Sequence, residues 1–250
     1  MAQRDRAGGE GSAGAAAFAT THWSTVLAAG DSTSPEASEA LERLCRTYWY
    51  PLYAFVRAKR YCAQDAEDLT QAFFERFLRK RYLKVVAHEK GRFRTFLLTL
   101  LQRFLYNEFD RATAAKRGGG IPAFPLDILE AEGRFTPLAP DRSSPELTFA
   151  RAWAETVIRS GLDRLRTAYA AHAKGSLFEE LKVYLSQPAH RAAYAEVASR
   201  LGMTVDAVLR SVTRLRRRYR AMVREEVANT VATPAEIDEE MHYLVELLTR

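Results

Sequence analysis

The sequence has almost no cysteine. Cys45 and Cys62 are the two it carries. Neither stands at metal-ligand spacing and both have apolar or aromatic neighbours, so they read as reduced thiols rather than parts of a disulfide frame or a thiolate metal site. Long apolar runs are missing too: no stretch approaches the roughly 18 uninterrupted residues that a membrane span requires. No run alternates with the period of two that marks a strand, and no segment repeats. The phosphate cradle of a nucleotide-binding loop is also lacking, because Gly118-Gly119-Gly120 follows a helical pattern and does not precede one. Residues 1–20 are rich in Ala and Gly but broken by Arg4, Arg6 and Glu10, which makes them a disordered leader and not an export signal. A cytoplasmic, all-α protein is the expectation these absences leave.

What the sequence does have is charge, unevenly spread. The net +6 hides a segment from Arg76 to Arg117 with twelve Lys or Arg against Glu89, Glu108 and Asp110. It hides a second from Arg210 to Arg224 with seven arginines in fifteen residues. From Glu225 onward the sign reverses, with seven acids against Arg250. Two basic regions point to a polyanion partner.

The chain length is enough for one large domain or two smaller ones, and its pattern divides as two. A short helical segment runs from His22 to Gly30. The next runs from Glu36 to Lys59, with Leu41, Leu44, Cys45, Tyr48, Leu52, Phe55 and Val56 on one face and Pro51 expected to kink or divide it. Another covers Asp65 to Arg81, with Ala66, Leu69, Phe73, Phe77 and Leu78 inward. Its acidic start, Asp65-Ala66-Glu67-Asp68, suits the positive end of a helix. Carboxylates could also hold a metal, but no histidine or further acidic cluster completes a coordination shell, so no cofactor is expected. Residues 91–120 form a central helix with Phe93, Phe96, Leu97, Leu100, Leu101, Phe104 and Leu105 inward and a polar, basic end. Pro122, Pro125, Pro137 and Pro140 then mark a connection of roughly 25 residues, long for the inside of a compact domain. The expected division is therefore a leader at 1–20, a helical domain at 21–117, a linker at 118–144, a second helical domain at 145–232 and an acidic amphipathic tail at 233–250. On that tail Ile237, Met241, Leu244, Val245 and Leu248 share a face.

The second domain contains the clearest motif. Tyr194, Val197, Ala198 and Leu201 recur at i, i+3, i+4, i+7; Gly202 follows, the residue that most easily takes the left-handed stop. Thr204 can cap the next helix, whose inner face is Val205, Val208, Leu209, Val212 and Leu215 and whose outer face is the arginine run. This is the grammar of a helix-turn-helix. Asp206 is the only acid before Glu225 available for i,i+4 pairing, so the run is not a self-neutralised surface.

Taken together, Asp65-Ala66-Glu67-Asp68-Leu69-Thr70-Gln71, Gly91-Arg92-Phe93-Arg94-Thr95-Phe96-Leu97 and the helix-turn-helix, in that order, resemble a sigma factor of the extracytoplasmic-function (ECF) class over roughly residues 22–230. The resemblance implies an all-α fold of a region 2-like bundle and a region 4-like helix-turn-helix domain joined by a long linker. It implies a non-enzymatic promoter-specificity subunit of bacterial core RNA polymerase. Asp65, Glu67, Asp68 and Gln71 would bind the β′ clamp, and the second domain would touch the β flap. Gln102, Arg103, Asn107, Asp110, Arg111, Lys116 and Arg117 would lie along the minus-ten promoter element. Thr204, Val205, Asp206, Arg210, Arg214, Arg217 and Arg218 would read or grip the minus-thirty-five element. Phe104 and Tyr106 are possible stacking surfaces for an unpaired base, though both read first as core or rim. Ala72 stands where the family usually has an acid, and Leu209 where it often has a basic residue. The resemblance leaves room for an anti-sigma factor. Two readings stay open beside it: a helix-turn-helix regulator that never docks on polymerase, and a metal-dependent nucleic-acid enzyme using the acids near residue 65. The charge reversal after Glu225 adds one expectation, that the acidic tail rests on a basic surface of its own chain.

Overall fold

The computed structural model describes residues 35–79, 92–114, 134, 144–187, 190–231 and 233–249. Among them every regular element is a helix: α1 (Pro35–Ala58), α2 (Ala63–Arg79), α3 (Phe93–Ala114), α4 (Pro145–Ala170), α5 (Gly175–Leu181) with a 3-10 turn (Lys182–Leu185), α6 (Arg191–Leu201), α7 (Val205–Ala228) and α8 (Ala235–Thr249). The helix expected at His22–Gly30, the glycine run and nearly all of the proposed linker lie outside the described residues.

The chain divides into two compact units, and the division does not follow the expected boundaries. Residues 1–156 and 228–250 make one unit, and Val157–Val227 the other. The chain enters the second unit inside α4 and leaves it at the end of α7, while the acidic tail belongs to the first unit.

In the first unit, α1 packs on α2 and α3, and α2 on α3. The helix α1 runs through Pro51 without ending there. Pro51 is buried, as is every other residue from Tyr48 to Val56, and tertiary packing of this kind offsets the hydrogen bond that the proline removes. The core is aromatic. Tyr48 meets Phe93 edge-on at 5.1 Å and stacks on Phe149 at 6.4 Å, and Phe73 lies 5.7 Å from Phe104. Rings of this size each contribute about 1.5–3 kcal/mol through burial. Leu78, expected inward, is exposed, and Phe74 is buried in its place. Cys45 is buried and its thiol is pushed up to about 12 by desolvation and by the nearby Glu42 carboxylate. Cys62 is a free, exposed thiol, and its Sγ accepts the Asp65 backbone N–H at 3.4 Å, capping α2. Arg134, from the proposed linker, places its guanidinium 3.6 Å from the centroid of the Tyr50 ring and donates to Thr156 Oγ1 at 3.1 Å.

The tail helix α8 buries a different face from the one its apolar residues predict. Ile237, Leu244 and Leu247 are inward, but so is Glu240, whereas Val245 and Leu248 are more than half exposed. Turned inward, Glu240 meets Arg92 and Arg94.

The second unit closes around Leu165, Tyr169, Phe178, Leu181, Tyr184, Tyr194, Val197, Val208, Val212 and Leu215. Tyr184 and Tyr194 lie 4.9 Å apart, Tyr169 and Phe178 5.8 Å. Within it α4 and α7 approach closely at Gly161, where an added Cβ would fall 2.8 Å from Val223 Cγ2.

Candidate nucleic-acid interface

In the second unit α6, the turn at Gly202 and α7 form as their sequence dictates. Tyr194, Val197 and Ala198 of α6 are buried, Leu201 partly so. Gly202 takes φ 60°, and the N–H groups of Gly202 and Met203 close the helix on Ser199 O and Ala198 O at 3.3 and 2.9 Å. The conformation is the left-handed one, which a side chain at that position would strain. Thr204 Oγ1 then accepts the Ala207 N–H at 3.2 Å and Thr204 O the Val208 N–H at 3.1 Å, starting α7.

Along α7, Asp206, Arg210, Arg214 and Arg217 are exposed, with Arg220 continuing the row. They recur at spacings of three and four and so share one face. Arg214 Nη2 sits 3.4 Å from Ser211 Oγ, and Arg218 lies 6.0 Å from the Tyr169 ring at the edge of the row. Two residues stand apart from this row. Val205 is half-buried against the core, so its side chain is not offered to a groove. Arg216 is a strut: its Nε donates to Tyr184 O at 2.8 Å and its Nη2 to Gln187 O at 3.2 Å, holding the 3-10 turn.

In the first unit the outer half of α3 has two usable sides. Gln102, Tyr106 and Phe109 recur at i, i+4, i+7, and the two rings are 68% and 62% exposed, enough for a base to stack. Gln102 also donates to Glu146 Oε1 at 3.1 Å. Phe104, by contrast, is buried and belongs to the core. On the other side Arg103 and Asn107 line a cavity of about 160 Å³ with Phe73, Arg76, Phe77, Leu100 and Phe104. Arg76 is held there by Glu108 at 3.4 Å and lies 5.9 Å from the Phe104 ring. The side chains of Asp110 and Arg111, and the whole of Lys116 and Arg117, lie outside the described residues. Sequence reasoning missed Phe109 and Arg76. The signal for Phe109 was present, since it sits three residues after Tyr106 and off the Leu97–Leu101–Phe104 stripe.

The four residues expected to dock on a partner enzyme are split by α2. Asp65 and Asp68 are exposed, and Asp68 accepts from Gln64 Nε2 at 3.4 Å. Glu67 and Gln71 are 9% and 8% exposed and face inward, so the four residues expected to bind the β′ clamp do not share one exposed surface. Glu67 Oε2 is buried without a hydrogen-bond partner, and burial, then the neighbouring Asp68 charge, raises its pKa above the ordinary carboxylate value.

The start of α3 is built against the usual preference. Arg92 precedes it, Arg94 lies in its first turn, and no acid of its own lies in that turn, so cations crowd the positive end of a helix. The acids come from α8. Glu239 Oε2 is 2.6 Å from Arg92 Nη2; Glu240 meets Arg92 Nε at 2.6 Å and Arg94 Nε at 3.0 Å. Thr230 O accepts the Phe93 N–H at 3.1 Å.

Among the described residues no group of three or more His, Cys, Asp or Glu side chains is placed to hold a metal ion, and no helix is long and apolar enough to cross a membrane. Compared with protein-family models, with curated proteins and with solved structures, the chain matches none.

Proposed function

We propose that the chain is a DNA-binding promoter-specificity subunit that joins bacterial core RNA polymerase, working in the manner of the ECF sigma factors its sequence resembles. The observation that carries this reading is the helix-turn-helix of the second unit, with Arg210, Arg214 and Arg217 exposed in one row on α7. Arginine on an exposed helix face neutralises phosphates and fixes register, and side chains near the helix start reach base edges in a major groove. The second support is α3, where the Tyr106 and Phe109 rings beside Arg103 and Asn107 offer an unpaired strand stacking and hydrogen bonding. Polymerase docking rests on the sequence resemblance and on the exposed pair Asp65 and Asp68. On this reading the protein works in the cytoplasm, needs no cofactor, performs no chemistry of its own, and could be held by an anti-sigma partner.

One observation favours a second reading, a helix-turn-helix regulator that acts without polymerase: Glu67 and Gln71, half of the proposed docking set, are turned inward. A pull-down with bacterial core polymerase followed by run-off transcription separates the two. Association and new transcript starts support the first. DNA binding without association with polymerase supports the second, and the absence of both removes the proposal altogether.

A further inference from the structure

The basic start of α3 and the acidic tail are opposite halves of one anion site. Arg92 and Arg94 present their guanidinium groups at a helix N-terminus, an arrangement that suits a phosphate. The carboxylates that fill it belong to the same chain, 145 or more residues away in sequence. Arg94 uses both Nε and Nη2 on Glu240, at 3.0–3.1 Å, and its guanidinium also lies 4.4 Å from the Tyr243 ring and 5.4 Å from that of Trp153. Glu240 is 1% exposed, whereas Glu239 stands at the rim, two-thirds exposed. Apart from these acids, the segment leading into this site is the most basic part of the first unit.

We propose that α8 is a built-in competitor for nucleic acid: with Glu239 and Glu240 it occupies the phosphate site of Arg92 and Arg94, and DNA takes that site only when α8 leaves it. This rests on the DNA-binding reading above. The rim pair Arg92–Glu239 gives an incoming phosphate its foothold, because one partner is in water and screened by salt. Glu240 cannot leave alone, since its carboxylate is enclosed together with Ile237, Leu244 and Leu247, so the helix departs as a whole. Two states follow, closed with the tail bound and open with the phosphate bound, and DNA shifts the balance by its preference for the open one.

The test compares the full chain with its Glu239→Gln/Glu240→Gln variant for binding to a labelled mixed-sequence DNA duplex across a salt series. The variant should bind several-fold more tightly at low salt. Its log–log salt dependence should steepen by roughly 1.8, the value for two more neutralised phosphates. Adding Arg92→Gln/Arg94→Gln to that variant should erase the gain. Asp238→Asn/Glu246→Gln, which removes the same two negative charges from exposed positions of α8, should leave affinity near that of the wild type, and this comparison separates a site-specific effect from the mere loss of two negative charges. In the wild-type chain, saturating duplex should strip hydrogen-exchange protection from residues 235–249, a measurement that stands even where the Gln variant folds poorly. Equal affinity and slope in a folded variant, a gain that survives loss of both arginines, or an α8 that stays protected in the presence of bound DNA would overturn the competitor. Failure of every form to bind DNA would overturn the DNA-binding reading itself, and the competitor with it.

Discussion

Arg94 and Glu240 meet through three hydrogen bonds of 3.0–3.1 Å, with 14% and 1% of their side chains exposed. A buried carboxylate is tolerable only when its charge is matched, and Glu240 is matched twice, by Arg94 and by Arg92. In this closed arrangement the tail helix thus packs as part of the first unit.

Removing one partner of such a pair leaves the other charge enclosed. Glu240→Ala should therefore destabilise the full chain by about 3–5 kcal/mol, read as the shift in urea-unfolding free energy. Glu239→Ala, which breaks only the rim contact, should cost less than about 1 kcal/mol. Similar costs for the two would show that the burial of Glu240 is not what matters.

Glu67 predicts a change of the opposite sign. Its carboxylate is buried with Oε2 unpartnered and its pKa is raised by burial. The unfolded chain releases that proton near the ordinary value of 4.5, so folding takes up a proton between the two values. Wild-type stability from this group is therefore lost as pH rises through the folded value and regained on acidification below it. Glu67→Gln should stabilise the protein at neutral pH, and the advantage should shrink as the pH approaches 4.5. A gain that is flat with pH would mean that ionisation is not its source.

Gly161 tests the packing of the second unit. A methyl group there would come 2.8 Å from Val223 Cγ2 and 3.3 Å from the Val223 backbone nitrogen. Valine in a helix has essentially one χ1 rotamer, so it cannot swing aside. Gly161→Ala should cost about 1–3 kcal/mol, even though alanine is the better helix former, and Gly161→Ala combined with Val223→Ala should recover part of it. A stabilising single substitution would show that α4 and α7 have room to separate.

The all-helical fold, the pair of helices joined at Gly202 and most of the core were legible because each rests on a local signal. The 3.6-residue spacing of Phe93, Leu97, Leu101 and Phe104 survives into the structure, as do the Gly202 stop and the Thr204 cap. Misreadings arose where a distant residue decides the outcome. An apolar count on the tail favoured Val245 and Leu248 inward, and no local rule could announce that Arg92 and Arg94 would turn Glu240 in instead. Pro51 was expected to interrupt α1, but the burial around it outweighs the lost hydrogen bond. The acids at the start of α2 were expected to act together, yet Glu67 follows Asp65 by two residues, a step that carries it to the other side of a helix. The same geometry divides Arg216 from Arg217.

That division gives the sharpest test of the arginine row. Arg216 donates to two backbone carbonyls that hold the 3-10 turn, so Arg216→Ala should lower stability by about 1.5–3 kcal/mol. In the remaining folded protein, the salt dependence of duplex binding should stay nearly unchanged. Arg210 and Arg217 are exposed and stand roughly 100–120° around the helix from Arg216. Arg210→Ala/Arg217→Ala should leave the unfolding midpoint close to that of the wild type and weaken binding to all duplexes alike where the contacts are to phosphate. The log–log salt slope should then fall by roughly 1 per arginine. A loss confined to particular sequences would assign one of them to a base edge, since a bidentate contact to guanine discriminates by about 1–3 kcal/mol. If Arg216→Ala flattened the salt slope while the double variant left it intact, the face of α7 turned toward DNA would be the one that carries Arg216, and the row from Arg210 to Arg217 would lose its role.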